Sequence, residues 1–225
     1  MNTQLLLLAD SRLPAGGHAH SGGLEPAAAA GGVVDLAGLA DFLRGRLATT
    51  GLVTAALAAA ACAHARVPRG EWGRLDAEAD ARTPSPAQRQ ASQAQGRTLL
   101  RVARTTWPHP ALEALADLSP GGPHHPVVLG AATAAADGSA RQAAAIAAYG
   151  SVTGPAAAAV RLLGLDPLAV HRMLAALAPH VDEVAAQAAT AAGTGDWARL
   201  PALSAPVLDL YAEWHLQSEM RLFES

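Results

Sequence analysis

Between Gly51 and Ala63 the chain runs for thirteen residues without a charge, most of them alanine and leucine. Such a stretch cannot face water along its length, so the rest of the chain has to build a core around it. Crossing a bilayer takes roughly 20 apolar residues, so the run predicts a buried core helix. The whole chain repeats this chemistry, with 51% hydrophobic and only 4% aromatic residues. Valine and isoleucine nowhere form the alternating runs that half-buried strands need. The expected fold is therefore all-α, and 225 residues can bury the core of a single-domain helical bundle spanning residues 1–225.

Charge removes several functions. All sixteen basic residues are arginine, and the net charge of −3 is spread without a block of like sign that could track a phosphate backbone or an anionic bilayer. Neither nucleic acid nor membrane is an expected partner. Cys62 is the single cysteine and sits in the apolar run, so no internal disulfide can form. A reducing, cytoplasmic setting fits that usage. Residues 1–10 lack a basic start and an apolar stretch long enough for a secretion signal.

Stop and start signals divide the chain further. Ser21 is a candidate cap for a short helix ending near Gly31, with Pro26 in its first turn. Asp35 caps a helix carrying Leu36, Leu39, Leu43 and Leu47, and the apolar run follows as a second helix closed by Pro68. Residues 66–86 turn polar and form the one linker candidate, too short and too balanced in charge to separate two domains. Ser85-Pro86 opens an unusually polar helix to about Thr106, and Leu112, Leu115 and Leu118 mark a short one after Pro110. A histidine-bearing loop leads into three short alanine-rich helices, separated at Asp137-Gly138 and Thr153-Gly154. Asp166-Pro167 starts a long helix that Pro179 kinks or divides, and 193–206 read as a loop. From Pro206 on, Leu208, Ala212, His215, Glu219 and Leu222 share helical spacing in a segment too short to be stable alone. Residues 206–225 are thus expected to be a flexible tail that orders on a partner, with docking on its own domain as the plain alternative.

Catalytic signatures are missing. A chain without lysine cannot contain the phosphate-binding loop of P-loop GTPases. Ser21 lacks the glycine and the preceding strand of a nucleophile elbow, and there is no His-Glu-x-x-His and no Cys-x-x-Cys. His18 with His20, and His124 with His125, could each offer two imidazoles to a transition metal. Two imidazoles leave a metal under-ligated, and the plainer reading packs the first pair in a turn and leaves the second in a solvated loop. No tightly bound cofactor is expected.

Residues 13–25, Leu-Pro-Ala-Gly-Gly-His-Ala-His-Ser-Gly-Gly-Leu-Glu, resemble the N-terminal signature of the UreF family of urease accessory proteins. Arg89, Ser92, Gly96 and Leu99-Leu100, then residues 125–130, then 159–163, then the closing Arg-Leu-Phe-Glu-Ser continue the resemblance in the family's order. His18 and His20 stand where that family usually has aromatics. The resemblance implies an all-helical, non-catalytic protein that dimerises. It would bridge the accessory protein UreD (also called UreH) and the GTPase UreG on apo-urease, with GTP bound by UreG and nickel handled by the complex. Ser21, Gly23, Glu25, Arg89, Ser92, Gly96, His215, Glu219, Arg221 and Phe223 are the interface candidates it implies. Against that stand local roles: the glycines as turn residues, Glu25 at a helix N-terminus, Arg161 as a snorkelling side chain. The polar face of Arg89, Ser92 and Gly96 needs either water or another protein. A rival function is a stand-alone nickel metallochaperone using His18, His20, His124 and His125.

Overall fold

The structure, a computed structural model, describes residues 2–17, 20–67, 71–118, 121–217 and 222–223. It is helical, with no strand among the described residues. Eleven α-helical segments among them are labelled in chain order: α1 Thr3–Ala9, α2 Leu24–Ala29, α3 Leu36–Arg46, α4 Leu52–His64, α5 Trp72–Ala81, α6 Pro86–Thr106, α7 Pro110–Ala116, α8 His125–Ala135, α9 Ala140–Leu163, α10 Pro167–Ala192 and α11 Pro206–Leu216.

The apolar run becomes α4, and it is the hub, packed against α8, α9 and α10 at once. From Ala55 to Cys62 every residue is buried. Burial also pushes the Cys62 thiol up to about 11. Alanine makes the tight packing possible, and Gly130 of α8 takes it furthest. A Cβ there would overlap the Ala58 carbonyl oxygen and come within 2.8 Å of the Cys62 nitrogen.

Two expected breaks are absent. The helices before and after Thr50 are joined by a wide turn, Leu47–Gly51, into one run from Leu36 to His64. Its loosened carbonyls accept from threonine hydroxyls, Thr49 Oγ1 to Gly45 at 2.8 Å and Thr54 Oγ1 to Thr50 at 2.7 Å. Likewise α9 passes straight through Thr153-Gly154 and Pro155. Pro155 has no N–H for the Ser151 carbonyl one turn back, and the Arg46 Nε donates to that carbonyl instead, at 3.1 Å. Pro179 lies inside a single α10. The runs Leu36–His64 and Ala140–Leu163 are long and apolar enough to cross a membrane, yet 72% and 61% of their apolar windows are buried inside the fold.

The polar stretch that was the one linker candidate contains α5, whose Trp72, Leu75 and Ala79 are buried at helical spacing. Arg82 then ties it to the 193–205 connection. Its side chain is 5% exposed, pairs with Glu78, and donates to the carbonyls of Pro201 at 3.0 Å, Trp197 at 3.0 Å and Leu200 at 3.1 Å. Asp35, Ser85 and Asp166 accept from backbone N–H groups as helix caps, as expected, and Ser139 does the same at the start of α9. Gly23, at φ 87°, rather than Ser21, is the cap residue of α2, while Ser21 Oγ accepts from the Glu25 N–H at 3.3 Å.

Candidate functional site

The N-terminus of α8 is gripped from two sides. His124 caps it and is 1% exposed. Its backbone N–H donates to Asp76 at 2.8 Å, its Nε2 meets Asp80 at 2.9 Å, and its Nδ1 meets Ser92 Oγ at 3.0 Å. The Asp80 carboxylate can only accept, so Nε2–H donates to it, while Ser92 Oγ faces Nδ1 and also accepts the His125 N–H at 3.3 Å. The order serine, imidazole, carboxylate resembles a hydrolytic relay, but both ends are occupied in holding α5, α6 and α8 together. Burial raises the Asp76 carboxyl, and the bond from His124 opposes that. His125 is driven down to about 4 by burial, reinforced by neighbouring His20. The expected solvated histidine loop is instead a packed network, with His124 buried and Asp80 at its exposed rim. The missed signal lay in α5, where Asp76 and Asp80 are one helical turn apart.

The polar face of α6 is likewise answered mostly within the chain. A Cβ on Gly96 would overlap the Pro123 carbonyl oxygen and come within 3.0 Å of the His125 nitrogen, so α6 lies against the entry to α8 there. Arg89 donates to the carbonyls of Thr83 at 2.7 Å and Pro84 at 3.1 Å. The reason is geometric: Ser92 meets a free N–H at the start of α8, and Arg89 meets carbonyls of the turn before α6.

A second cluster closes the C-terminal segment onto the signature loop. The Glu25 carboxylate accepts from the backbone N–H groups of Leu222 and Phe223, both at 2.9 Å. His215, 5% exposed, holds the Phe223 carbonyl at 3.0 Å through Nε2 and lies 3.4 Å from Glu25. Arg161 sits over the Phe223 ring at 4.5 Å. Further back, Glu213 accepts from Ala87 N–H at 2.9 Å and Gln88 donates to the Leu208 carbonyl at 3.1 Å, so α11 caps the start of α6. The inner face of α11 is Leu208, Ala212 and His215, all buried. Its opposite face is apolar too: Val207, Leu210 and Trp214 are 57%, 53% and 59% exposed.

An open groove of about 920 Å³ runs between these clusters. Of the sequence candidates, His20, Gly23, Ser92, His124 and His125 line it, brought together from three distant segments. Glu25, His215 and Phe223 meet at the second cluster, close to Ser21. His18, Glu219 and Arg221 lie outside the described residues. Among the described residues no three His, Cys, Asp or Glu side chains converge as a metal site. The histidine pairs suggested by adjacency are regrouped, His125 facing His20 and His124 facing Asp80.

Comparisons with known proteins agree with the resemblance. The family model described as UreF matches residues 33–178. The chain is 46% identical over 221 residues to the urease accessory protein UreF of Mycolicibacterium vanbaalenii, covering 98% of this chain and 97% of that protein. It is 44% identical over 221 residues to the protein of the same name from Mycobacterium marinum, with the same coverage. To that of Mycobacterium tuberculosis it is 45% identical over 223 residues, again covering 98% and 97%.

Proposed function

Because this chain belongs to the UreF family of urease accessory proteins, we propose that it works by binding, as the non-catalytic scaffold between UreD and UreG during nickel insertion into apo-urease. In this reading UreG binds and hydrolyses GTP, and this chain regulates it as a cytoplasmic, dimeric docking subunit. Nickel is cargo of the assembly.

The observation that carries the reading is the two-faced α11. One apolar face holds the helix to its own domain, and the other presents Val207, Leu210 and Trp214 to solvent. A helix apolar on opposite sides is what a surface helix shows when a second protein covers it. The same segment ends in the contacts to Glu25, so a partner seated there touches the signature loop as well. We assign UreD to that surface.

The test is co-purification of the full chain with UreD and UreG, with and without GTP and nickel. A triple variant, Val207→Ser, Leu210→Ser and Trp214→Ser, should keep the circular-dichroism spectrum and the inner-face contacts while losing UreD and urease activation. Wild-type recovery of UreD with that variant would remove α11 from the interface.

A further inference from the structure

A half-buried guanidinium, that of Arg46, forms part of the groove wall. Arg46 lies at the end of α3, and its Nε is committed to the Ser151 carbonyl at 3.1 Å. No carboxylate among the described residues pairs with it, whereas the more deeply placed guanidinium, that of Arg82, has Glu78 and a ring of carbonyls. Burial without a counter-charge pushes the Arg46 guanidinium down to about 10. Buried charges in proteins are normally paired, because a lone ion loses its hydration with nothing in return.

Arg46 lines the groove together with the signature loop. Ser151 holds Nε in place, and the wall is backbone and small side chains. A Cβ built on Gly22 would lie 3.1 Å from Cζ and from Nη2, so the signature loop crosses directly beside the fork. Thr50, Thr54, Gly154 and Gly22 line the groove around it. The hydroxyls of Thr50, Thr54 and Ser151 donate to carbonyls of their own helices and so bring no negative charge. Arg161 and His171 line the same groove, and the acidic lining residues are Asp10 and Asp209. Asp10 is paired with Arg12, and burial, with Glu213 nearby, raises the Asp209 carboxyl.

We propose that Arg46 is the anchor of an oxyanion site in this groove, taking a carboxylate or phosphate group on the guanidinium edge that the Ser151 carbonyl leaves open. The planar fork matches two oxygens of such a group, and a low-dielectric wall strengthens each bond. Pre-positioning through Ser151 means that the side chain gives up little rotamer freedom on binding. The inference is independent of the docking surface on α11, since a groove that takes an anion does so in the isolated chain.

The experiment titrates the full-length protein with inorganic phosphate, and in parallel with acetate, at constant ionic strength held by chloride. Binding is read by calorimetry and by the amide exchange of residues 44–48 and 150–155. Wild type should bind at least one of the two anions saturably, with slower exchange in both segments. Phosphate without acetate identifies a phosphate group as the ligand, and the converse a carboxylate. Arg46→Gln should weaken binding at least tenfold. Arg46→Lys keeps the charge and the apolar stem if the glutamine variant does not fold, and should retain weaker binding. Arg101, exposed on α6 in a separate arginine-lined hollow, supplies the control. The proposal fails if wild type binds neither anion saturably, or if Arg101→Gln abolishes binding as fully as Arg46→Gln does.

Discussion

Replacing Glu25 by glutamine removes one charge and almost no volume, which isolates the contact between the signature loop and the C-terminal segment. In the native protein both carboxylate oxygens accept a backbone N–H at 2.9 Å, from Leu222 and Phe223. Bonds of this charged kind contribute about 1.5–3 kcal/mol each. Glutamine offers one acceptor oxygen, and its amide NH2 would face the second N–H as a donor against a donor. The surviving bond also loses its charge assistance. Docking of the segment should weaken by about 2–3 kcal/mol, or roughly 30–150-fold in the docked-to-undocked ratio. Amide exchange read on a C-terminal peptide containing Leu222 and Phe223 should accelerate by that factor, while α4 and α8 keep their protection. A change under threefold would show that the two bonds do not hold the segment. Equal acceleration throughout α4 would show that Glu25 supports the core instead.

Three further outcomes follow from the same geometry. His125 has a folded-state pKa near 4 against about 6.5 when unfolded, so between these values the unfolded chain binds more protons and stability falls as pH is lowered through that window. Urea midpoints should drop between pH 6.5 and 4, by up to about 3 kcal/mol in total from this group, and His125→Gln should flatten the slope; an unchanged slope refutes the assignment. Gly96→Ala should destabilise by about 1–3 kcal/mol or more, because its Cβ meets backbone rather than a movable side chain. A neutral melt would return Gly96 to the interface candidates. Arg82→Met should cost about 3–5 kcal/mol by leaving Glu78 without its cation, with faster exchange in residues 196–203; a loss under about 1 kcal/mol on the same melt would mean that water replaces those bonds.

Local chemistry made much of this protein legible in one dimension. Helix formers without alternating strand runs determine an all-α chain, and Asp35, Ser85, Ser139 and Asp166 declare helix starts because a side-chain oxygen three residues before a free N–H is a local contact. The thirteen-residue apolar run announces the core for the same reason, since its burial is demanded whatever surrounds it. What the sequence left open depends on partners far along the chain. Pro155 reads as a break, and only the arrival of Arg46 from α3 at the orphaned Ser151 carbonyl lets α9 continue. The linker-like stretch becomes α5 because Asp76 and Asp80 find His124 across the fold. Adjacent histidines suggest pairs, but His124 is the extended cap and His125 the first helical residue of α8, so the backbone turns between them and distant residues meet. Helix caps, apolar periods and turn residues are properties of a few consecutive residues. Which polar group satisfies which, and which arginine is left with an open edge, is decided only when helices from opposite ends of the chain pack against α4.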